Sequence, residues 1–206
     1  MSASLIEVCA DTIERAVNER TAIGRLTADH PELTLADGYA VQDEITRRRL
    51  ARGEHLIGAK LGLTSRAKQV QMNVAEPMYG RLFSNGVHPA NEPFPVDSLI
   101  HPRVEPEIVF VMNRRLAGPG VTPADVLAAT EYVTCGLEII DSRYADFSFT
   151  AADVVADNTS EAKIVLGPTT VSPHGIDLAL VGLLLDVDGD QVATASGAAT
   201  MGHPAE

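Results

Sequence analysis

The segment from His101 to Met112 places two carboxylates, Glu105 and Glu107, inside an otherwise apolar run of strand-forming residues. Side chains alternate between the two faces of an extended strand, so both glutamates project from one face, roughly 7 Å apart along the strand. Two like charges within a hydrophobic strand are costly unless something neutralises them. The pair therefore predicts a β-sheet that holds a cation, or basic side chains, against this face.

A third carboxylate, Glu138, lies in a second apolar segment with strand character, from Tyr132 to Ile140. Gly136 comes two residues earlier on the same face of that strand and leaves space beside the carboxylate. Three carboxylates without a neighbouring His or Cys suit a hard cation, and Mg²⁺ or Mn²⁺ fits better than zinc. Ion pairs with Arg103 and Arg143 at the sheet edges are the alternative, and the spacing alone does not separate the two.

Other polar residues near these segments are weaker candidates for ligand contact. Lys60 stands between two glycines in a predicted strand, and the glycines remove side-chain cover from its ammonium. Arg143 follows the strand that carries Glu138 and could bind a carboxylate. An exposed strand lysine is the commoner interpretation of Lys60, and the polar cluster from Asp157 to Ser160 is typical of an ordinary turn.

The order of the predicted elements indicates an α+β protein with a largely antiparallel or mixed sheet system. Helices come first, and strands with short helices between them follow, without a regular βαβ repeat. We expect a single structural domain composed of an N-terminal helical arm, residues 1–55, and a β-roll body, residues 56–206. The run from Arg47 to Arg49 is expected on the solvated outer face of the second helix.

Charge and composition exclude several classes of partner. The net charge of −12 and the isoelectric point near 4.8 argue against nucleic acid or an anionic membrane. The two cysteines, Cys9 and Cys135, make no disulfide framework. We find neither a signal peptide nor an apolar run of membrane-spanning length, so we expect a cytoplasmic protein.

Five segments, taken in order, resemble the 2-keto-4-pentenoate hydratase and 4-oxalocrotonate decarboxylase family of the fumarylacetoacetate hydrolase superfamily. They are Gly58-Ala-Lys-Leu-Gly-Leu-Thr-Ser65, Pro102-Arg-Val-Glu-Pro-Glu-Ile108, Leu137-Glu-Ile-Ile-Asp-Ser-Arg143, Val155-Ala-Asp-Asn158 and Gly202-His-Pro204. The resemblance implies a mixed β-roll or barrel and a Mg²⁺- or Mn²⁺-dependent reaction on a 2-oxo acid from aromatic meta-cleavage. It also implies that Glu105, Glu107 and Glu138 hold the metal and that Lys60 is the essential lysine.

The choice between the two reactions of this family depends on the segment Pro77-Met-Tyr-Gly80. Hydratases of the family carry an acidic residue before the aromatic–glycine pair, whereas an apolar residue there resembles the decarboxylases. Hydration needs a proton delivered to carbon and an activated water, so loss of that carboxylate disfavours it. The sequence therefore favours decarboxylation of 2-oxo-3-hexenedioate to 2-hydroxypenta-2,4-dienoate. Hydration of that dienoate stays open, as does a non-catalytic role as the partner subunit of a decarboxylase–hydratase complex.

The resemblance carries further expectations about the site and the end of the chain. Met78 and Tyr79 are expected to line a dry surface near the departing carboxylate, and Arg143 and Ser160 to be weaker substrate contacts. Family members continue for several tens of residues after Gly-His-Pro, so we expect the closing strands of the barrel to be missing here. A homo-oligomer, and association between decarboxylase and hydratase, are expected as well.

Overall fold

The computed structural model describes residues 4–72 and 74–206, and it confirms an α+β protein. Helices dominate the first quarter of the described chain, and strands with short helices between them follow. The elements in chain order are α1 (Leu5–Glu19), α2 (Leu26–Asp29), α3 (Leu35–Ala51), β1 (Leu56–Gly62), α4 (Arg66–Gln71), β2 (Met78–Phe83), β3 (Val87–His88), β4 (Arg103–Met112), α5 (Pro123–Ala128), β5 (Thr130–Ile140), α6 (Ala151–Ala156), β6 (Glu161–Val171), β7 (Gly182–Val187) and β8 (Asp190–Ser196).

Helix α3 packs on α1 and on the short helix α6. Both long helices begin at capping boxes, in which Ser4 and Thr34 accept a hydrogen bond from a first-turn backbone N–H. The shared interface is a hydrophobic core whose members come from the N-terminal helices and from the segment after β5. That core contains Cys9, Ala10, Ile13, Leu26, Val41, Tyr144 and Ala156. The N-terminal helices and the segment that leads into α6 therefore share one buried core.

Two of the three consecutive arginines of α3 bind neighbouring elements. Arg48 Nη1 lies 2.8 Å from a carboxylate oxygen of Glu14 on α1. The guanidinium carbon of Arg49 lies 3.7 Å from the ring centroid of Phe83 at the end of β2. The expectation of a solvated outer face is therefore wrong for Arg48 and Arg49, because both contribute to packing between elements. It holds for Arg47, whose side chain is 67% exposed.

The described strands form three sheets. β1 and β2 make an antiparallel hairpin, β7 and β8 make a second, and a four-stranded sheet has the order β3-β6-β5-β4. Within the large sheet, β4 and β5 are antiparallel, and their register sets Glu105 opposite Glu138 and Glu107 opposite Gly136. Residues directly opposite each other share a face of the sheet. The register thus brings all three strand glutamates to one face.

Candidate metal centre

The three strand glutamates converge on a single point. Glu105, Glu107 and Glu138 each offer one carboxylate oxygen, and these oxygens all lie within 4.8 Å of one another. Glu138 is only 3% exposed, whereas Glu105 and Glu107 are half-buried. Carboxylate oxygens that approach an ion from one side suit Mg²⁺ or Mn²⁺, because these ions keep water molecules in their remaining coordination positions. Strand alternation predicted the shared face of Glu105 and Glu107, which is confirmed, and the register of β4 and β5 adds Glu138 to it.

Burial of these carboxylates changes their protonation. Desolvation raises the pKa of Glu107 from 4.5 to about 7, and the negative charges of Glu138 and Glu105 add to the shift. Desolvation also raises the pKa of Glu138, although the Lys60 ammonium opposes it. A divalent cation among the three carboxylates would reverse this effect, because it favours their charged forms.

Lys60 of β1 reaches over the glutamates from the hairpin. Its Nζ lies 2.8 Å from Glu138 Oε1 and donates a hydrogen bond to the backbone oxygen of Thr159 at 3.0 Å. Its side chain is 8% exposed, so the interpretation of Lys60 as an exposed strand lysine is wrong. Glu138 Oε1 and the Lys60 ammonium therefore form a close, buried ion pair.

The donor set is the observation that fits a metal to this site. Three carboxylates with no His or Cys among them are hard oxygen ligands, which suit Mg²⁺ or Mn²⁺. Glu138 is the most buried of the three, and one of its carboxylate oxygens lies within 4.8 Å of an oxygen of each of the other two. Three carboxylates near the two ammonium groups of Lys60 and Lys68 still leave an excess of negative charge when all are ionised, which a divalent cation would balance.

The arginines considered as alternative partners of the glutamates are engaged elsewhere. The buried guanidinium of Arg143 pairs with Asp157, and its Nη2 donates to the backbone oxygen of the same residue at 2.6 Å. The guanidinium carbon of Arg103 lies 3.7 Å from the ring centroid of Phe147. Lysines contact the glutamates instead, since Lys68 Nζ lies 3.6 Å from Glu105 Oε1 and Lys60 pairs with Glu138. The interpretation as arginine salt bridges is therefore wrong.

Met78 and Tyr79 lie on opposite faces of the β1–β2 hairpin. Met78 pairs with Gly62, two residues beyond Lys60, and therefore shares the face that carries the lysine. It is 2% exposed and packs with buried valines of α6. Tyr79 points to the other face and stacks on Tyr39 with ring centroids 4.7 Å apart. Of this predicted pair, the structure brings only Met78 to the side of Lys60.

The turn from Asn158 to Ser160 is the part of the site that sequence analysis treated as ordinary. Thr159 and Ser160 are both buried, and their hydroxyl oxygens have no hydrogen-bond partner among the described residues. The turn lies directly against the lysine, because Thr159 supplies the backbone oxygen that Lys60 binds. Ser160 was predicted as a substrate contact from family resemblance. Polar turn residues at the end of a helix give no signal, in themselves, of which strand they will contact.

Comparison with known proteins identifies the family to which this site belongs. The chain is 42% identical over 196 residues to a 4-oxalocrotonate decarboxylase of Pseudomonas sp. (strain CF600), an alignment that spans 95% of this chain and 74% of that protein. The chain belongs to the 4-oxalocrotonate decarboxylase and 2-keto-4-pentenoate hydratase family. The members it matches are named as decarboxylases and hydratases, which are lyases, and the resemblance seen in the motifs is confirmed.

Both activities of the family occur among the similar proteins. A 2-hydroxypent-2,4-dienoate hydratase of Pseudomonas putida is 40% identical over 205 residues, which span 99% of this chain and 92% of the hydratase. The solved structure of 4-oxalocrotonate decarboxylase from Pseudomonas putida G7, complexed with magnesium and adipate, superposes with a TM-score of 0.95 at 41% identity, covering 100% of this chain and 78% of that one. No protein-family model matches the chain. No helix in the described ranges has both the length and the apolar character needed to cross a membrane.

Proposed function

We propose that the protein is a divalent-metal-dependent decarboxylase that converts 2-oxo-3-hexenedioate to 2-hydroxypenta-2,4-dienoate. The observation that carries the proposal is the convergence of three carboxylates within 4.8 Å beside a buried lysine. Glu105, Glu107 and Glu138 would hold Mg²⁺ or Mn²⁺, and magnesium is bound in the similar decarboxylase from Pseudomonas putida G7. When bound, the ion would supply Lewis acidity toward the 2-oxo acid.

In this reaction Lys60 acts at the oxygen where charge develops. The bond between C5 and C6 breaks, C6 leaves as CO₂, and the electron pair moves through the C3–C4 double bond to the 2-oxo oxygen. The Lys60 ammonium stabilises that negative charge and donates the proton that completes the enol. Because the Lys60 side chain is almost fully buried, its charge acts in a medium of low dielectric constant, where its electrostatic interaction with the developing negative charge is stronger than in water.

The preference for decarboxylation over hydration rests on Met78. This residue occupies the hairpin face of Lys60, and its side chain is packed in an apolar cluster. A thioether cannot deliver a proton to carbon or activate a water molecule, as hydration requires. An apolar neighbour also disfavours solvation of the carboxylate that leaves, which assists loss of CO₂. Arg143, Ser160 and Tyr79 remain proposals as substrate contacts.

The test is a parallel assay of 2-oxo-3-hexenedioate and 2-hydroxypenta-2,4-dienoate with Mg²⁺, with Mn²⁺ and with a chelator. We expect metal-dependent release of CO₂ from the first compound. Glu107→Gln should abolish it, whereas Glu131→Gln, on the exposed part of β5, should leave it unchanged. Full activity without divalent metal would refute the proposal.

Hydration is the second candidate function, and one observation favours it. The hydratase of Pseudomonas putida aligns with this chain over 92% of its own length. In the parallel assay, a hydratase would add water to the dienoate and leave 2-oxo-3-hexenedioate unchanged.

We further propose that the sheets belong to the mixed β-roll predicted above and that the protein forms a homo-oligomer, alone or with its partner enzyme. The non-catalytic partner role predicts a folded protein that turns over neither compound.

A further inference from the structure

The turn formed by Asn158, Thr159 and Ser160 has a strained backbone. All three residues have positive φ, at 51°, 55° and 59°. This left-handed region is open to asparagine but rarely adopted by other side chains, least of all by a β-branched one such as threonine. Strain of this kind persists only where the surrounding structure holds it, and it concentrates at functional sites.

The side chain of Asn158 holds the turn against β2. Its Nδ2 donates to the backbone oxygen of Arg81 at 2.9 Å, and its Oδ1 accepts from the Arg81 N–H at 2.7 Å. These two bonds reproduce the exchange of bonds that a neighbouring strand would make with β2. The same amide donates to Glu161 at the start of β6. Asn158 therefore ties the turn to two strands through one side chain.

Two glycines of the hairpin allow the turn to approach. A Cβ on Gly80 would lie 2.4 Å from the backbone oxygen of Asn158, and one on Gly62 would lie 2.6 Å from Thr159 Cγ2. Both distances are too short for any side chain. Gly58 differs, because a Cβ there would lie at an ordinary 3.7 Å from Leu82. The hairpin thus lacks side chains at Gly62 and Gly80, the two positions where it meets the turn.

We propose that this turn is the positioning element for Lys60, an inference that rests on the proposed function of the lysine. The backbone oxygen of Thr159 accepts one of the three ammonium hydrogens at 3.0 Å, and Glu138 lies 2.8 Å from the same nitrogen. These two contacts fix the Lys60 ammonium over the carboxylate cluster and leave its remaining hydrogens for substrate. Asn158 holds Thr159 in place, Gly80 admits the backbone of Asn158, and Gly62 admits the side chain of Thr159.

The test uses two variants that disturb the turn by different means. Gly80→Ala pushes on the backbone of Asn158, and its Cβ also lies 3.0 Å from Lys60 Cδ. Asn158→Gly keeps access to the left-handed region and removes the side-chain bonds to Arg81 and Glu161, so it is the variant that disturbs the turn without touching the lysine. Gly58→Ala is the matched control on the same hairpin. For each protein we would measure kcat and KM for 2-oxo-3-hexenedioate and the Kd for Mn²⁺. The rate of Lys60 acetylation by acetic anhydride, followed by mass spectrometry, reports the lysine separately.

Both variants should lower kcat roughly tenfold or more, with KM and the Mn²⁺ Kd changed less than about threefold, because the metal ligands stay in place. Acetylation of Lys60 should become faster in both, and Gly58→Ala should match the wild type. If Gly80→Ala shows no cooperative thermal transition, Asn158→Gly decides the question.

Wild-type kcat and acetylation rates in folded variants would overturn the proposal. So would a parallel loss of Mn²⁺ affinity, which would indicate general damage to the site. If the wild type turns over no substrate, the proposed function fails, whereas the acetylation rates still decide whether the turn positions Lys60.

Discussion

Replacing Glu107 with glutamine should stabilise the metal-free protein at alkaline pH. Glutamine keeps the shape of the side chain and removes a charge that the fold disfavours. Burial and two neighbouring carboxylates raise the pKa of Glu107 from 4.5 to about 7. A folded-state pKa above the unfolded value means that the protonated form is the one stabilised by folding. The contribution is therefore fully present below pH 4.5 and is lost as the pH rises through 7.

The size of the effect follows from that shift. The difference between 4.5 and about 7 corresponds to ~3 kcal/mol if it is converted in full. Glu107 is half-buried, so solvent screening reduces this to ~1–2 kcal/mol. In metal-free buffer, Glu107→Gln should thus exceed the wild type by ~1–2 kcal/mol at pH 8 and equal it near pH 4.

Urea unfolding in the presence of a chelator, at pH 4, 6 and 8, measures this difference. Glu131→Gln, which removes an exposed carboxylate of β5, controls for net charge. Adding Mn²⁺ at pH 8 should make the wild type the more stable of the two proteins, because only the wild type keeps all three ligands. Its free energy of unfolding should rise by ~2.7 kcal/mol at a Mn²⁺ concentration of a hundredfold over its Kd. A variant that is less stable than the wild type at pH 8 without metal, or a difference independent of pH, would refute the reasoning.

Three further substitutions test the contacts around the site. Gly62→Ala should destabilise the protein because its Cβ would meet Thr159 Cγ2 at 2.6 Å, and adding Thr159→Ser should restore the lost stability. A double-mutant cycle measured by urea unfolding should show a coupling energy of ~1 kcal/mol or more. Additive losses would contradict the contact. Asp141→Asn should cost ~1–3 kcal/mol in the free energy of unfolding, because the donors to this buried carboxylate in the described chain are backbone N–H groups. An amide N–H₂ turned toward them would leave a buried donor unpaired. Arg143→Lys should cost ~3 kcal/mol in unfolding free energy, because lysine cannot reproduce the bonds that compensate the buried Asp157; a loss below 1 kcal/mol would show that the pair contributes little.

Strand alternation made the carboxylate cluster predictable. Glu105 and Glu107 share a face in any extended strand, and Gly136 and Glu138 do so in the next. The α+β class followed equally directly from the order of helical and strand periods. Lys60 was the harder assignment, because its flanking glycines fit an exposed strand equally well, and family resemblance identified it. The fold class and the shared strand face are confirmed because each depended on local periodicity, whereas the role of Lys60 stays a prediction.

The contacts that the sequence did not reveal are tertiary. The run from Arg47 to Arg49 has the composition of a solvated helix face, yet Arg48 and Arg49 pack against residues that are distant in sequence. The left-handed turn at Thr159 was equally hidden, because threonine disfavours that conformation and contacts with the hairpin and with Glu161 hold it there. In both places the local preference is overridden by packing, and composition cannot show which neighbour does so.

The cluster depends on register as much as on residue identity. A slip of one residue between β4 and β5 would carry Glu105 and Glu107 to the face opposite Glu138. Asp141, directly after β5, accepts backbone hydrogen bonds from Ile100 and His101, directly before β4, at 2.8–3.1 Å. These hydrogen bonds join the start of β4 to the end of β5, so the Asp141 carboxylate opposes such a slip. A slipped register would separate the three metal ligands, so Asp141→Asn should weaken Mn²⁺ binding even though it contacts none of them.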